Sequence, residues 1–348
     1  MAMAIVGTAP VVTGGVDTHL DIHVAAVVDS NGGVLDVRSF GADRGGYREL
    51  HQWLESFGPI GRVGVEGTGA YGAGLSRYLQ SVGVAVIEVD RPNRQARRRS
   101  GKSDQLDAIE AARAALSGRA RGTAKTADGR VEAIRVLLVA KRSALEVRTK
   151  TLNQIRHLGF TGPEALRERL AGVPASQLGA RTAALRPGPS VEIITHANKL
   201  ALRTLGRRIG ALDDELAVID RALEQLVGET APALLDLHGV GPHTAAILLV
   251  AAGDNPERLR SEAAWAHLCG TAPLPADSGK RTGRHRLNRG GNRQANHALW
   301  RIVLTRMSND PRTRAYVERR HKEGLSKPEI MRVLKRYVAR EIYAHLPR

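Results

Sequence analysis

The sequence predicts an α/β first part, a helical middle and a mainly helical last part, and three observations carry that prediction. Strand-like apolar stretches cluster before residue 90, a leucine- and isoleucine-rich heptad occupies the middle, and the charge changes sign along the chain. Residues 15–40 read as a β-hairpin, because the apolar stretches 24–28 and 34–37 are separated by Asp29-Ser30-Asn31-Gly32-Gly33, a turn composition. A helix over 47–57, a strand at 62–66, a helix over 74–81, a strand at 84–89 and a helix after Ser103 follow. Antiparallel strands leading into a β-α-β-α run predict a mixed sheet with helices packed on it.

In the middle, Leu202, Leu205, Ile209, Leu212, Leu216, Ile219, Leu223 and Leu226 alternate steps of three and four, which is a heptad seam. A weaker seam runs through Val131, Leu138, Leu145 and Leu152 on a stretch that also bears Lys141, Arg142, Arg148, Lys150 and Arg156. Two such helices pair either as a hairpin within one chain or as a coiled coil between chains. Residues 159–190, with Gly-Pro, Arg-Pro-Gly-Pro and short helical pieces, read as a connector. From Leu235 to Ala246 the chain reads as helix, glycine turn and helix. Such a helix-hairpin-helix-like element can offer backbone N–H groups to a phosphate, or be a plain helix-helix turn. The expected division is 1–125, 126–230 and 231–348.

Of the 348 residues, 42% are hydrophobic, ordinary for a folded protein, and no apolar run approaches the roughly 18 residues needed to span a bilayer. Lacking a basic leader and with Cys269 as the only cysteine, the chain is expected in the cytoplasm. A net charge of +17 selects polyanionic partners, nucleic acid first. Residues 1–90 carry 5 Lys+Arg against 10 Asp+Glu, whereas residues 278–348 carry 19 against 5. The phosphate-contacting surface is therefore expected in the later parts. With 3% aromatic residues, base stacking is not expected to dominate.

Four acids stand at positions where chemistry is plausible. Asp17 ends an apolar strand, Glu66 ends another, and Asp104 and Asp107 share a helix face at a spacing of three. Phosphodiester chemistry uses such clusters because hard carboxylate oxygens hold divalent metals, here Mg²⁺. Each acid also has a structural reading: a turn residue, a strand-end cap, or dipole-favoured residues after a Ser103 cap. Their joint order on strand, strand and helix is that of a ribonuclease H-like sheet. Gly67-Thr68-Gly69-Ala70-Tyr71-Gly72 follows Glu66 directly and brings permissive backbone to the same place, without the Gly-Lys-Ser/Thr of a Walker loop. Arg94, Arg97, Arg98 and Arg99, just before Asp104, suit a nucleic-acid backbone or form a solvated charge run.

Near the C-terminus Ser278 lies in a Pro/Gly loop followed by Arg281, Arg284, Arg286, Arg289 and Arg293. An alcohol needs a base, a metal or cations to become a nucleophile, and the arginines supply the last of these. From chemistry alone a loop serine is as readily a turn residue. Tyr316 and Tyr343 are rival nucleophiles, but no His-x-x-Arg spacing accompanies them.

Taken in order, Gly15-Val16-Asp17-Thr18-His19 with Asp21-Ile22-His23, Val65-Glu66-Gly67-Thr68-Gly69, Lys102-Ser103-Asp104-Gln105-Leu106-Asp107, Gly239-Val240-Gly241-Pro242, and Ser278-Gly279 with Arg284-His285-Arg286 and Gly291-Asn292-Arg293 resemble the insertion-sequence-110 type transposases. Some of these are recombinases directed by a bridge RNA. The resemblance implies a RuvC-like N-terminal domain in which Asp17, Glu66, Asp104 and Asp107 bind Mg²⁺, and a C-terminal domain whose Ser278 attacks DNA to give a phosphoserine. It also implies donor and target double-stranded DNA as substrates, and a homo-oligomer, dimer or tetramer, that sets one subunit's acids against another's serine. Leu20 departs from the pattern, which commonly has lysine there. A water-using metal nuclease with a structural serine, and a non-catalytic nucleic-acid scaffold, are the competing readings.

Overall fold

The computed structural model describes residues 10–89, 103–120, 122–125, 129–188, 192–255, 259–277, 283 and 285–347. They fall into two compact units, residues 1–129 with 252–264, and residues 130–251 with 265–347.

The first unit is built on a six-stranded mixed sheet of order β3-β2-β1-β4-β5-β6. β1 (Val12–Thr18), β2 (Ile22–Val28) and β3 (Val34–Gly41) form an antiparallel meander. The predicted turn closes it: Asp29 Oδ1 accepts from the Asn31 and Gly33 amides, both at 2.8 Å, and Gly32 takes φ 83°. β4 (Ile60–Glu66) lies parallel to β1 and β5 (Val86–Val89) parallel to β4; a two-residue strand β6 (Gly122–Thr123), not expected from sequence, closes the edge antiparallel. Parallel neighbours need crossovers, and helices α1 (Arg44–Glu55) and α2 (Ala73–Ser81) supply them. On one face Val12, Val16, Val63 and Val65 pack with Leu50, Leu54, Leu75 and Leu79 into a closed core.

The other face of β1 and β4 decides where the acids go. Helix α3 (Asp104–Leu116) lies flush on it through Ala108, Ala111, Ala112 and Ala115, all buried. It can do so because two strand positions have no side chain. A Cβ at Gly15 would stand 2.1 Å from Ala112 N and 2.3 Å from Ala108 O, and one at Gly64 would stand 2.5 Å from Ala111 O. Ser103 caps this helix as expected, its Oγ accepting from Leu106 N at 3.2 Å.

The second unit is helical. α4 (Arg130–Thr161) and α7 (Ile193–Thr230) pack along each other, joined through α5 (Glu164–Leu170) and α6 (Ala175–Ala183). The predicted connector is thus partly helical. Antiparallel register is fixed by two ion pairs, Lys141 with Asp220 and Arg148 with Asp213: a step of seven along one helix is answered by seven back along the other. Of the stronger seam, Leu202, Ile209, Leu216, Ile219 and Leu223 are buried within this one chain. Of the weaker seam, Val131, Leu138 and Leu152 are buried but Leu145 is not; Ala144 takes the inward position.

The remainder comprises α8 (Pro232–Leu235), α9 (Pro242–Ala252), α10 (Glu262–Leu268), α11 (Arg293–Asn309), α12 (Pro311–Lys322) and α13 (Lys327–His345). A short ribbon pairs β7 (Leu274–Pro275) with β8 (His285–Arg286). Gly239, at φ 79°, makes the expected turn before α9, where only glycine is unstrained. Among the described residues no helix is long and apolar enough to cross a membrane.

Candidate active site

Strand alternation places the acids. In β1, Gly15 faces α3, so Asp17, two residues on, points to the same side. In β4 the same step carries Gly64 to Glu66, and the parallel register pairs Val16 with Val65, so Glu66 follows beside Asp17. α3 begins at Asp104, with Asp107 one turn further and buried. The close Gly–Ala packing therefore sets the start of one helix above the ends of two strands.

His19 joins them. Its Nε2 stands 3.2 Å from Asp17 Oδ2 and 3.4 Å from Asp104 Oδ2. Donor atoms of Asp17, His19 and Asp104 all lie within 4.8 Å of one another, while Glu66 and Asp107 stand outside that tight set. Burial is the main cause that holds the Asp17 carboxyl above the usual carboxylate range; Asp107 and Asp104 raise it further and His19 opposes them. A buried aspartate crowded by two others is a place where a cation gains most. Hard oxygens and one imidazole fit a divalent ion.

The surrounding loop is ordered around this point. Thr18 Oγ1 donates to Glu66 O at 2.8 Å, tying the ends of β1 and β4, and Gly67 takes φ 71° immediately after. Thr68 donates to Glu88 Oε1 at 2.9 Å. His23 is fully buried and stacks on Tyr47 at 5.7 Å between ring centres, and burial lowers its proton affinity.

Sequence reasoning quoted His19 within a motif but did not count it as a donor. The signal available in the sequence was proximity: His19 follows Asp17 by two residues, just past the end of β1.

In the second unit, Arg286 and Arg289 are exposed on and just after β8, and Arg293 opens α11, whose N-cap is Asn292. Ser278, Arg281 and Arg284 lie outside the described residues, as do Arg94, Arg97, Arg98 and Arg99. The rival nucleophile Tyr316 packs edge-on against Tyr337, with ring centres 6.1 Å apart. Burial raises its hydroxyl pKa, which leaves less of the reactive phenolate.

A mixed sheet with acids at adjacent strand ends and on an apposed helix is consistent with the ribonuclease H-like class of nucleic-acid-processing domains. Two family models match the chain, one described as Transposase, of the insertion-sequence-110 DEDD type, over residues 14–158, and one described as Transposase IS116/IS110/IS902 family over residues 231–318. The chain belongs to the insertion-sequence-110 family of transposases. It is 33% identical over 116 residues to the insertion element IS110 uncharacterized 43.6 kDa protein of Streptomyces coelicolor, covering 33% of this chain and 28% of that one. It is 28% identical over 180 residues to the insertion element IS900 uncharacterized 42 kDa protein of Mycobacterium paratuberculosis, covering 48% of this chain and 45% of that one. The chain thus spans less than half the length of these curated relatives.

Proposed function

We propose that the chain is a DNA recombinase that cuts and rejoins strands of donor and target double-stranded DNA during transposition, in the cytoplasm. The observation that carries this reading is the convergence of Asp17, His19 and Asp104, with Asp107 raising the Asp17 pKa. It occurs in a chain matched at both ends by transposase models. Asp17 and Asp104, with Asp107 and Glu66 beside them, would hold Mg²⁺. When bound, that ion supplies Lewis-acid polarisation of a phosphoryl oxygen and neutralises developing charge.

The nucleophile in this reading is Ser278. Its hydroxyl attacks phosphorus, one strand P–O bond breaks, the departing oxygen takes a proton as a strand-end hydroxyl, and a phosphoserine ester remains. A second strand-end hydroxyl then displaces serine by the reverse step. One ester bond is exchanged for another each time, so no high-energy cofactor is needed. Arg281, Arg284, Arg286, Arg289 and Arg293 stabilise the added charge, and Arg94, Arg97, Arg98 and Arg99 bind backbone near the acids. The finer reading is a RuvC-like domain (1–125), a coiled-coil region (126–230) and a transposase domain with a helix-hairpin-helix-like element (231–348). A bridge RNA choosing the DNA and a homo-oligomer, dimer or tetramer, complete it. Val136, Val139 and Val147, exposed along one side of α4, support the oligomer, since the stronger seam is spent within the chain.

Wild type and Ser278→Ala are incubated with Mg²⁺, co-purified RNA and labelled donor and target DNA, then run on denaturing gels. A protein–DNA adduct in wild type alone is expected. Cleavage retained in Ser278→Ala, with no adduct in wild type, replaces this mechanism by metal-assisted hydrolysis.

A further inference from the structure

In the second unit a cleft of about 700 Å³ opens between the β7–β8 ribbon and α13. Arg286 and Arg289 line one wall and Arg332, Lys335 and Arg336 the other, and no Asp or Glu is among the described residues lining it. On α13 these three cations sit at i, i+3 and i+4, hence on one face, where like charges repel each other. Lys335 is fixed rather than trailing in solvent. Its Nζ donates to Asn296 Oδ1 at 2.9 Å, and Asn296 Nδ2 donates to Cys269 O at 2.7 Å and Gly270 O at 3.3 Å. Burial, helped by Arg332, lowers the proton affinity of Lys335. A concave surface that gathers like charges, one of them anchored on a hydrogen-bonded asparagine, is stabilised by a polyanion.

We propose that this cleft seats the sugar-phosphate backbone of the DNA strand being processed, with Arg332 and Lys335 as direct phosphate contacts. The identity of the strand follows from chain length. Ser278 lies three residues beyond Pro275 of the ribbon, a stretch that spans at most about 10 Å. A strand within reach of that serine passes within reach of the cleft. The inference rests on reading the chain as a DNA-processing enzyme; the choice of strand rests also on Ser278 as the reacting residue, whereas the phosphate contacts of the cleft do not.

The test is equilibrium binding by the full chain of labelled single-stranded and duplex oligodeoxynucleotides, and of an RNA of the same sequence, over a range of NaCl. The double variant Arg332→Gln/Lys335→Gln keeps a donor for Asn296 at position 335 and removes both charges. DNA affinity is expected to fall on the order of tenfold. The slope of log K against log salt is expected to shrink by about 1 to 2. Unchanged DNA affinity and slope in a variant with wild-type melting overturns the proposal, and so does a loss confined to RNA. If the helix variant melts early, Arg286→Gln/Arg289→Gln on the opposite wall provides the same readout with exposed residues. A wild type that forms no adduct, beside a double variant that loses DNA, removes the serine mechanism and leaves the cleft standing.

Discussion

Asp17 shows what a single residue contributes here. Its carboxyl binds a proton more readily in the folded chain than in the unfolded one, chiefly through burial, with Asp107 and Asp104 adding to it. The folded pKa lies above 3.8, so folding carries the cost of ionising Asp17 at neutral pH. That cost sets in as pH rises from the unfolded value through the folded one, and vanishes below both. Asp17→Asn should therefore raise the melting temperature at pH 7 in EDTA, by about 2 to 4 °C for each kcal/mol relieved, with the gain fading below about pH 4. Mg²⁺ should reverse the ranking, because a ligand that binds only the folded state stabilises wild type by mass action. Thermal melts of both proteins with EDTA and with Mg²⁺ check this. An Asn variant that melts no higher in EDTA, or that gains as much from Mg²⁺ as wild type does, contradicts the site.

At the scale of elements, the meeting of α3 with β1 and β4 is the joint on which the acids depend. Gly15→Ala puts a Cβ against helix backbone that no rotamer change can move, so the helix must shift. Overpacking of this kind costs about 1–3 kcal/mol. The variant should lose several degrees of melting temperature and bind Mg²⁺ more weakly. Gly69→Ala, in the loop after Glu66 with open space around it, should do neither. Calorimetry of both variants, with Mg²⁺ titration, separates a joint from a generic core defect: Gly15→Ala that melts early yet keeps metal affinity argues against it. This joint was only half legible in sequence. Alternating apolar residues and a turn motif announce strands, and Ser103 announces a helix start, because those signals are local. Why Gly15 and Gly64 must be glycine is a long-range fact, visible only once α3 lies on them. β6 has two residues and hence no periodicity to read. Leu145 shows the limit of a seven-residue count: the count registers large apolar residues, whereas the buried residue at that level is its small neighbour Ala144.

For the whole molecule, the proposed chemistry depends on two sets of residues far apart in sequence, and each can be disabled without substituting the other. Asp104 is an exposed first-turn residue of α3, so Asp104→Ala should not disturb a core, and the melting temperature of Ser278→Ala is measured beside it. Each variant alone should form no covalent adduct. The oligomeric reading, in which the acids of one subunit act with the serine of another, makes the mixture different from either component. Co-expressed Asp104→Ala and Ser278→Ala chains would then contain pairings in which intact acids meet an intact serine, and adduct should reappear, carried on the chain that retains Ser278. Distinguishing the chains by a mass tag on one of them reads this directly from the labelled band. Activity that stays absent in the mixture, while each variant still binds DNA as wild type does, would place acids and serine of one site on the same chain. In that case an assembly through the exposed valines of α4 would leave the chemistry within each subunit.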